Sequence, residues 1–327
     1  MLAHYSQRRR QLLLGAGALA MLAAGRRLAS ADSFPDRPMR FIVGFGAGGS
    51  TDIVARALAD KLGDGSGWKV VIENRTGASG NIATQAVASA EPDGYTYLVG
   101  ASPFAVNHWL FPDFPVKYGR DLTAIAPLGA TANALVVHPS LKIRTLTEFI
   151  TFARERPGAI TYATLGNGSS GHLAGVAFDL RAGTKMVPVS YRGGGEALKD
   201  LLGGHVQAWF ASIPSVLEQV RSGQLVGIAT TGPQRASWLP DIATMAELGF
   251  EGFDVRLWIG VLAPAAVPAE RLILMEQAIA RAMAARDMQA TLDAQGVAPF
   301  TMSRAKFDAF MIAEIERWRT VVASLGK

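Results

Sequence analysis

Beyond residue 31 the chain alternates short apolar runs with stretches of helical period. Met39 to Val43 is apolar except for Arg40 and predicts a buried strand. From Asp52 to Leu62, Ile53, Ala57, Leu58 and Leu62 recur at helical spacing and predict a helix. The same reading continues with strands at 69–73, 95–100, 133–138, 159–163, 186–190, 207–210 and 225–230. Between them fall helices at 80–90, 145–155, 170–181, 196–202 and 215–222. The helix from Thr145 opens Thr145-Leu146-Thr147-Glu148, a capping box in which hydroxyl and carboxylate satisfy each other's backbone amides. Strands alternating with helices of this length predict an α/β fold with mostly parallel sheets covered on both faces.

The tail breaks the alternation. Val255 to Ala263 is a long apolar run, Pro268 opens a helix at 269–284, and further helices follow at 287–293 and 303–324. A helix-rich tail packing back on the first half implies two lobes and two crossings, near 128–136 and 250–260. The expected division is residues 32–132 plus 255–327 for lobe 1 and residues 133–254 for lobe 2. The length also suits two lobes rather than one.

Residues 1–31 have a different pattern. Arg8-Arg9-Arg10 precedes the apolar run Leu12 to Ala24, and Ala29-Ser30-Ala31 follows. That order is a cleavable export leader. The run is 13 residues, and a membrane span needs roughly 20. Paired arginines before Gln11-Leu12-Leu13 resemble the twin-arginine signal, with the general secretory route as the alternative. The leader implies a periplasmic destination.

It also changes the charge. The full chain has 32 Lys+Arg against 27 Asp+Glu, but the leader holds five arginines and no acid, leaving 27 basic against 27 acidic residues. The basic excess therefore says nothing about nucleic acid, and no nucleic-acid partner is expected. With no cysteine, disulfides, thiolate metal sites and cysteine nucleophiles are excluded. His108, His138 and His205 lack metal-ligand spacing, so no metal is expected. The serines lack a Gly-x-Ser-x-Gly elbow, which argues against a hydrolase.

Two glycine-rich loops stand where a strand gives way to a helix. The first is Gly44-Phe45-Gly46-Ala47-Gly48-Gly49-Ser50-Thr51-Asp52, the second Leu165-Gly166-Asn167-Gly168-Ser169-Ser170-Gly171-His172. Glycines let backbone N–H groups turn inward, and the following helix start adds about half a positive charge. Together they form an anion site that needs no arginine. The first loop also fits Gly44-x-Gly46-x-x-Gly49, with Glu73 ending the next strand 24 positions beyond Gly49. That is the dinucleotide pattern, so three readings stand open: an anion receptor, an exported oxidoreductase, and a tight turn without a ligand. Asp52 reads as a ligand contact or a helix cap, and His172 as a donor to ligand or a packing residue. Arg192 reads as solvated or cleft-facing.

Several motifs then coincide in order. Phe34-Pro35-Asp36-Arg37-Pro38-Met39-Arg40-Phe41-Ile42-Val43 and Ala47-Gly48-Gly49-Ser50-Thr51-Asp52 resemble the opening of the tripartite tricarboxylate transporter receptors, the Bug family. Glu73-Asn74-Arg75, Gly77-Ala78-Ser79-Gly80-Asn81, Pro92-Asp93-Gly94-Tyr95-Thr96, His172-Leu173-Ala174-Gly175, Asp200-Leu201-Leu202-Gly203-Gly204 and Leu262-Ala263-Pro264 extend the likeness to the C-terminus. The resemblance implies a type II periplasmic-binding-protein fold whose two lobes close on a ligand. It implies a non-catalytic monomer without cofactor that delivers a small carboxylate to a transporter of this kind or to a sensor. By position it selects Phe45, Ala47, Gly48, Ser50, Thr51 and Asp52 on one lobe and Gly166, Asn167, Gly168, Ser169, Ser170 and His172 on the other. Ser79, Ser102 and Ala211 fall on neighbouring segments. Two departures bear on specificity. Gly171 stands where many members carry a polar side chain. Ala211 stands where Asp is common, which implies a carboxylate without an amino group.

Overall fold

Strand β1 (Met39–Val43) leads through the first glycine loop into α1 (Ser50–Ser66), and β2 (Val70–Asn74) leads through a 3-10 turn (Ala78–Gly80) into α2 (Asn81–Ala88). β3 (Thr96–Ala101), α3 (Pro103–Leu110) and the long β4 (Leu122–Val137) follow. Then come α4 (Leu146–Glu155), β5 (Thr161–Thr164), α5 (Ser170–Ala182), β6 (Val187–Ser190), α6 (Gly194–Leu202), β7 (Ala208–Ser212), α7 (Ile213–Arg221) and β8 (Val226–Thr230). The chain ends with β9 (Arg256–Pro264), α8 (Ala269–Met283), α9 (Arg286–Ala294), β10 (Ala298–Pro299) and α10 (Arg304–Leu325). This computed structural model describes residues 34–191 and 193–325; the expected leader and Arg192 lie outside the described residues. The chain divides after Pro38, and every element above belongs to the unit from Met39 onward.

The sheet order is β2-β1-β3-β9-β4-β7-β5-β6, with β8 and β10 also paired to β4. The expected parallel pairing holds at the flanks, β2-β1-β3 and β7-β5-β6. In the middle, β9 runs antiparallel to β3 and β4, and β4 antiparallel to β7 and β8. β4 changes partners along its length. Leu122 to Ala132 pair with β9, whereas Asn133 to Val137 pair with β7. At about 3.3 Å per residue, its 16 residues span roughly 50 Å.

α3 and the first part of β4 differ from the sequence expectation. α3 was not anticipated because Pro103, Phe104, Ala105, Val106 and Asn107 are all buried, leaving no one-sided apolar stripe to recognise. The start of β4 reads as loop because Pro127 and Gly129 punctuate it. Both fall where the pairing with β9 shifts register, the kind of irregularity that admits proline and glycine in a strand. The capping box forms as expected: Thr145 Oγ1 accepts from Glu148 N–H at 3.2 Å, and Glu148 Oε2 accepts from Thr145 N–H at 3.1 Å.

Candidate functional site

β1 delivers the first loop into solvent: Gly46 to Gly49 are exposed, and Ser50 is half-buried. Gly49 caps α1 without any side-chain hydrogen bond, so the N–H groups of the first helical turn stay available. Gly48 holds φ +80°, a backbone setting that favours glycine. Its N–H donates to Asp52 Oδ2 at 2.9 Å. Asp52 is fully engaged. Arg56 Nε and Nη2 donate to its two oxygens at 2.9 and 3.0 Å, and Asn74 Nδ2 donates to Oδ1 at 2.8 Å. Asn74 Nδ2 also donates to Phe45 O at 3.0 Å. Burial works to raise the Asp52 pKa, but the bonds from Arg56, Gly48 and Asn74 outweigh it and hold the carboxyl at about 2. Asp52 thus shapes the loop, and it neutralises the one arginine beside it.

Gly44 approaches Gly80 closely; a Cβ there would stand 3.0 Å from Gly80 Cα. Gly44, Phe45, Ser79, Gly100 and Ala101 line one small pocket. Ser79 is held in the left-handed region (φ 55°), and its carbonyl accepts from Asn107 Nδ2 at 2.9 Å. Ser102 is buried and tied to β9: its Oγ donates to Arg256 O and accepts from Trp258 N–H, both at 2.8 Å.

β5 delivers the second loop, in which Gly166 and Gly168 adopt φ +97° and +79°. Ser169 caps α5, accepting from His172 N–H at 3.3 Å, and Ser170 Oγ donates to Asn133 Oδ1 at 3.2 Å. Asn167 is exposed. His172 is 4% exposed, and its Nδ1 accepts from Gly168 N–H at 3.3 Å. Burial lowers its pKa, so the ring is neutral with its proton on Nε2. Gly171 has no room for a side chain, because a Cβ would meet Phe210 O at 2.5 Å. Ala211 is fully buried on β7, in an apolar cluster with Ala134 and Trp209.

Strand register locates the loops relative to each other. Val43 aligns with Val99, Val99 with Val261, and Val261 with Ala126, so β1 ends level with Ala126 of β4. From the other side Ala163 aligns with Trp209 and Trp209 with Val136, so β5 runs toward Asn133 in the opposite sense. The carboxyl ends of β1 and β5 therefore point at each other over the middle of β4, the usual end for ligands in open α/β sheets. Side chains agree with the register: Ser102 bonds β9 at Arg256 and Trp258, the partners of Ala132 and Ala130, and Ser170 bonds Asn133. Loop 2 also nears α3, where a Cβ on Gly168 would stand 3.0 Å from Leu110 Cδ1.

Glu73, the acid of the dinucleotide pattern, is gripped by Arg40 Nη2 at 2.7 Å and Arg75 Nη2 at 2.6 Å. Hydrogen bonds from Arg40 and then Arg75 pull its pKa down. Among the described residues no three His, Asp or Glu side chains gather as a metal would need. Sequence reasoning missed Asn74 and Asn133 as organisers of the two loops. Asn74 lay inside a recognised motif, whereas nothing local marks Asn133, whose amide bonds Val255 O, 122 residues away, at 3.2 Å.

Residues 54–327 match the family described as the tripartite tricarboxylate transporter family receptor. Protein BugT of Bordetella pertussis is 38% identical over 299 residues, covering 91% of this chain and 92% of that one. The solved periplasmic binding protein BugD has a TM-score of 0.75 at 27% identity, covering 90% of this chain and 99% of its own. Rpa4515 of R. palustris, solved with adipate, has a TM-score of 0.77 at 30% identity, covering 90% of this chain and 99% of its own.

Proposed function

The chain belongs to the tripartite tricarboxylate transporter receptor family, a family of binding proteins rather than enzymes, and from that premise we propose that it captures a small carboxylate in the periplasm after export on its leader. One observation carries the reading: α1 begins without a side-chain cap, beside an exposed glycine loop whose neighbouring charges, Asp52 and Arg56, cancel each other. An exposed helix N-terminus with free amides favours an anion. A neutralised surround leaves that task to the amides. No helix among the described residues is long and apolar enough to cross a membrane.

The proposed lobes divide at 132/133, where β4 exchanges β9 for β7, and at 254/255, just before β9 begins. Amides of Ala47, Ser50 and Thr51 then meet those of Gly166 and Ser170, with the His172 Nε2 proton as a further donor, while the Gly48 and Gly168 amides stay on Asp52 and His172 and hold the loops in shape. The anion is fully satisfied only when both loops reach it, so ligand favours the closed arrangement. The Asp52 carboxylate of the first loop is already taken up by Gly48, Arg56 and Asn74 and offers no partner to an ammonium group, which supports a carboxylate without one, as adipate is. The closed receptor then serves a transporter of the tripartite type or a sensor. The dinucleotide reading loses its acid, since Glu73 is committed to Arg40 and Arg75.

The test is calorimetry and thermal shift with aliphatic and aromatic mono- and dicarboxylates, on wild type and on Ser169→Tyr and Ser170→Tyr. At least one acid should bind saturably to wild type and at least tenfold more weakly to the variants. A panel without binding, together with a nicotinamide or flavin carried through purification, would instead establish the oxidoreductase.

A further inference from the structure

Away from the two glycine loops, α4 and the end of α5 border a groove of about 430 Å³. Thr147, Thr151 and Arg154 stand at i, i+4 and i+7 on α4, which places them on one helix face along the groove. Arg181 arrives from the last turn of α5. Each guanidinium is oriented by a single backbone bond: Arg154 Nε donates to Ala182 O at 2.7 Å, and Arg181 Nη2 donates to Glu251 O at 2.6 Å. The remaining N–H groups of both have no carboxylate partner among the described residues, nor do the two threonine hydroxyls have a protein partner. Two cations and two hydroxyls thus converge with no acid between them.

The floor of the groove is apolar and fixed. Ile150 lies between the threonines, and Phe250 stacks on Phe178 with ring centroids 5.6 Å apart. The Arg181 guanidinium sits over the Phe250 ring at 5.9 Å. Gly249, at φ +95°, adds no side chain to the space beside it.

We propose that this groove is a second ligand site, separate from the glycine loops, for an organic phosphate or carboxylate. The planar guanidinium fork matches the oxygens of either group, and an arginine held in place by one bond loses less freedom when it makes the next. An oxyanion fills only a small part of the volume, given about 30 Å³ per water-sized unit. Ile150 and Phe250 therefore receive the apolar body of the ligand, while Arg154, Arg181, Thr147 and Thr151 receive its charged end. Both arginines are exposed, so the interaction weakens as salt screens it.

Calorimetry with phenyl phosphate and inorganic phosphate, in low salt and in 0.15 M salt, tests this on wild type, Arg154→Gln, Arg181→Gln, the double variant and Ser170→Tyr. Circular dichroism checks that each variant is folded, and Thr151→Val probes the site without touching either guanidinium anchor. The expected result is saturable binding, tighter for phenyl phosphate, about fivefold to tenfold weaker for each single arginine variant, lost in the double variant, and weakened by salt. Thr151→Val should weaken it by a smaller factor, and Ser170→Tyr should leave it unchanged. No saturable binding to wild type, or equal binding to the double variant, overturns the site. Loss in Ser170→Tyr would assign the phosphate to the glycine loops instead, and equal affinity for the two phosphates would remove the apolar floor from the proposal.

Discussion

Phe210 O stands 2.5 Å from where a Cβ on Gly171 would be, and this one distance leaves glycine as the residue the position accepts. α5 lies against β7 too closely for any substituent. Gly171→Ala should destabilise the fold by about 1–3 kcal/mol, the usual cost of overpacking, read as a lower urea midpoint at unchanged m-value. Asp52 gives the second residue-scale prediction. Its folded pKa of about 2 lies below the ordinary aspartate value of 3.8, so its contribution to stability is present above pH ~4 and is lost as the pH falls toward 2. Because Arg56 is half exposed, the contribution is discounted to about 1–2 kcal/mol. In Asp52→Asn the loss of stability between pH 5 and 2 should be smaller by that amount, measured by denaturant unfolding across the range. The sequence pointed to Asp52 as a residue of the loop but left its role open between ligand contact and cap. Its carboxylate bonds Gly48, Arg56 and Asn74, and Asn74 is 22 residues away.

Elements were legible where one face is buried and the other wet. α4 is the clearest case, with Leu146, Phe149 and Ala153 inward and its capping box in place. Thr145→Ala should cost about 1 kcal/mol, seen as a lower urea midpoint with α4 amides exchanging faster than those of α5. α3 and the first half of β4 escaped for the opposite reason. α3 is buried around most of its surface, and β4 carries Pro127 and Gly129 through register shifts that only the pairing with β9 accommodates. Both missed elements bear on the candidate site: α3 carries Leu110 to Gly168, and β4 joins the two sheet halves. Local pattern reports burial geometry well and long-range pairing poorly, so the scaffold of the site was harder to read than the loops it presents.

At the scale of the whole molecule, two opposed strand ends meet over one strand that changes partners halfway. Loop 1 is fixed by Asp52, Arg56 and Asn74, loop 2 by Ser169, His172 and Asn133, and neither set supplies an unpaired cation to the space between. If the two loops share one carboxylate, binding energy comes from amides contributed by both proposed lobes, and ligand must stabilise the folded chain as a unit rather than one half of it. Linkage sets the size: at a ligand concentration of 100 Kd the gain is about 2.7 kcal/mol, which for a chain of this length raises Tm by roughly 4–5 °C. Scanning calorimetry should show one transition moving up by that amount, with a smaller radius of gyration in solution scattering. A ligand that raised only one of two resolved transitions, with the radius unchanged, would mean that it rests on a single loop, and the shared-site reading would fail even though binding itself remained.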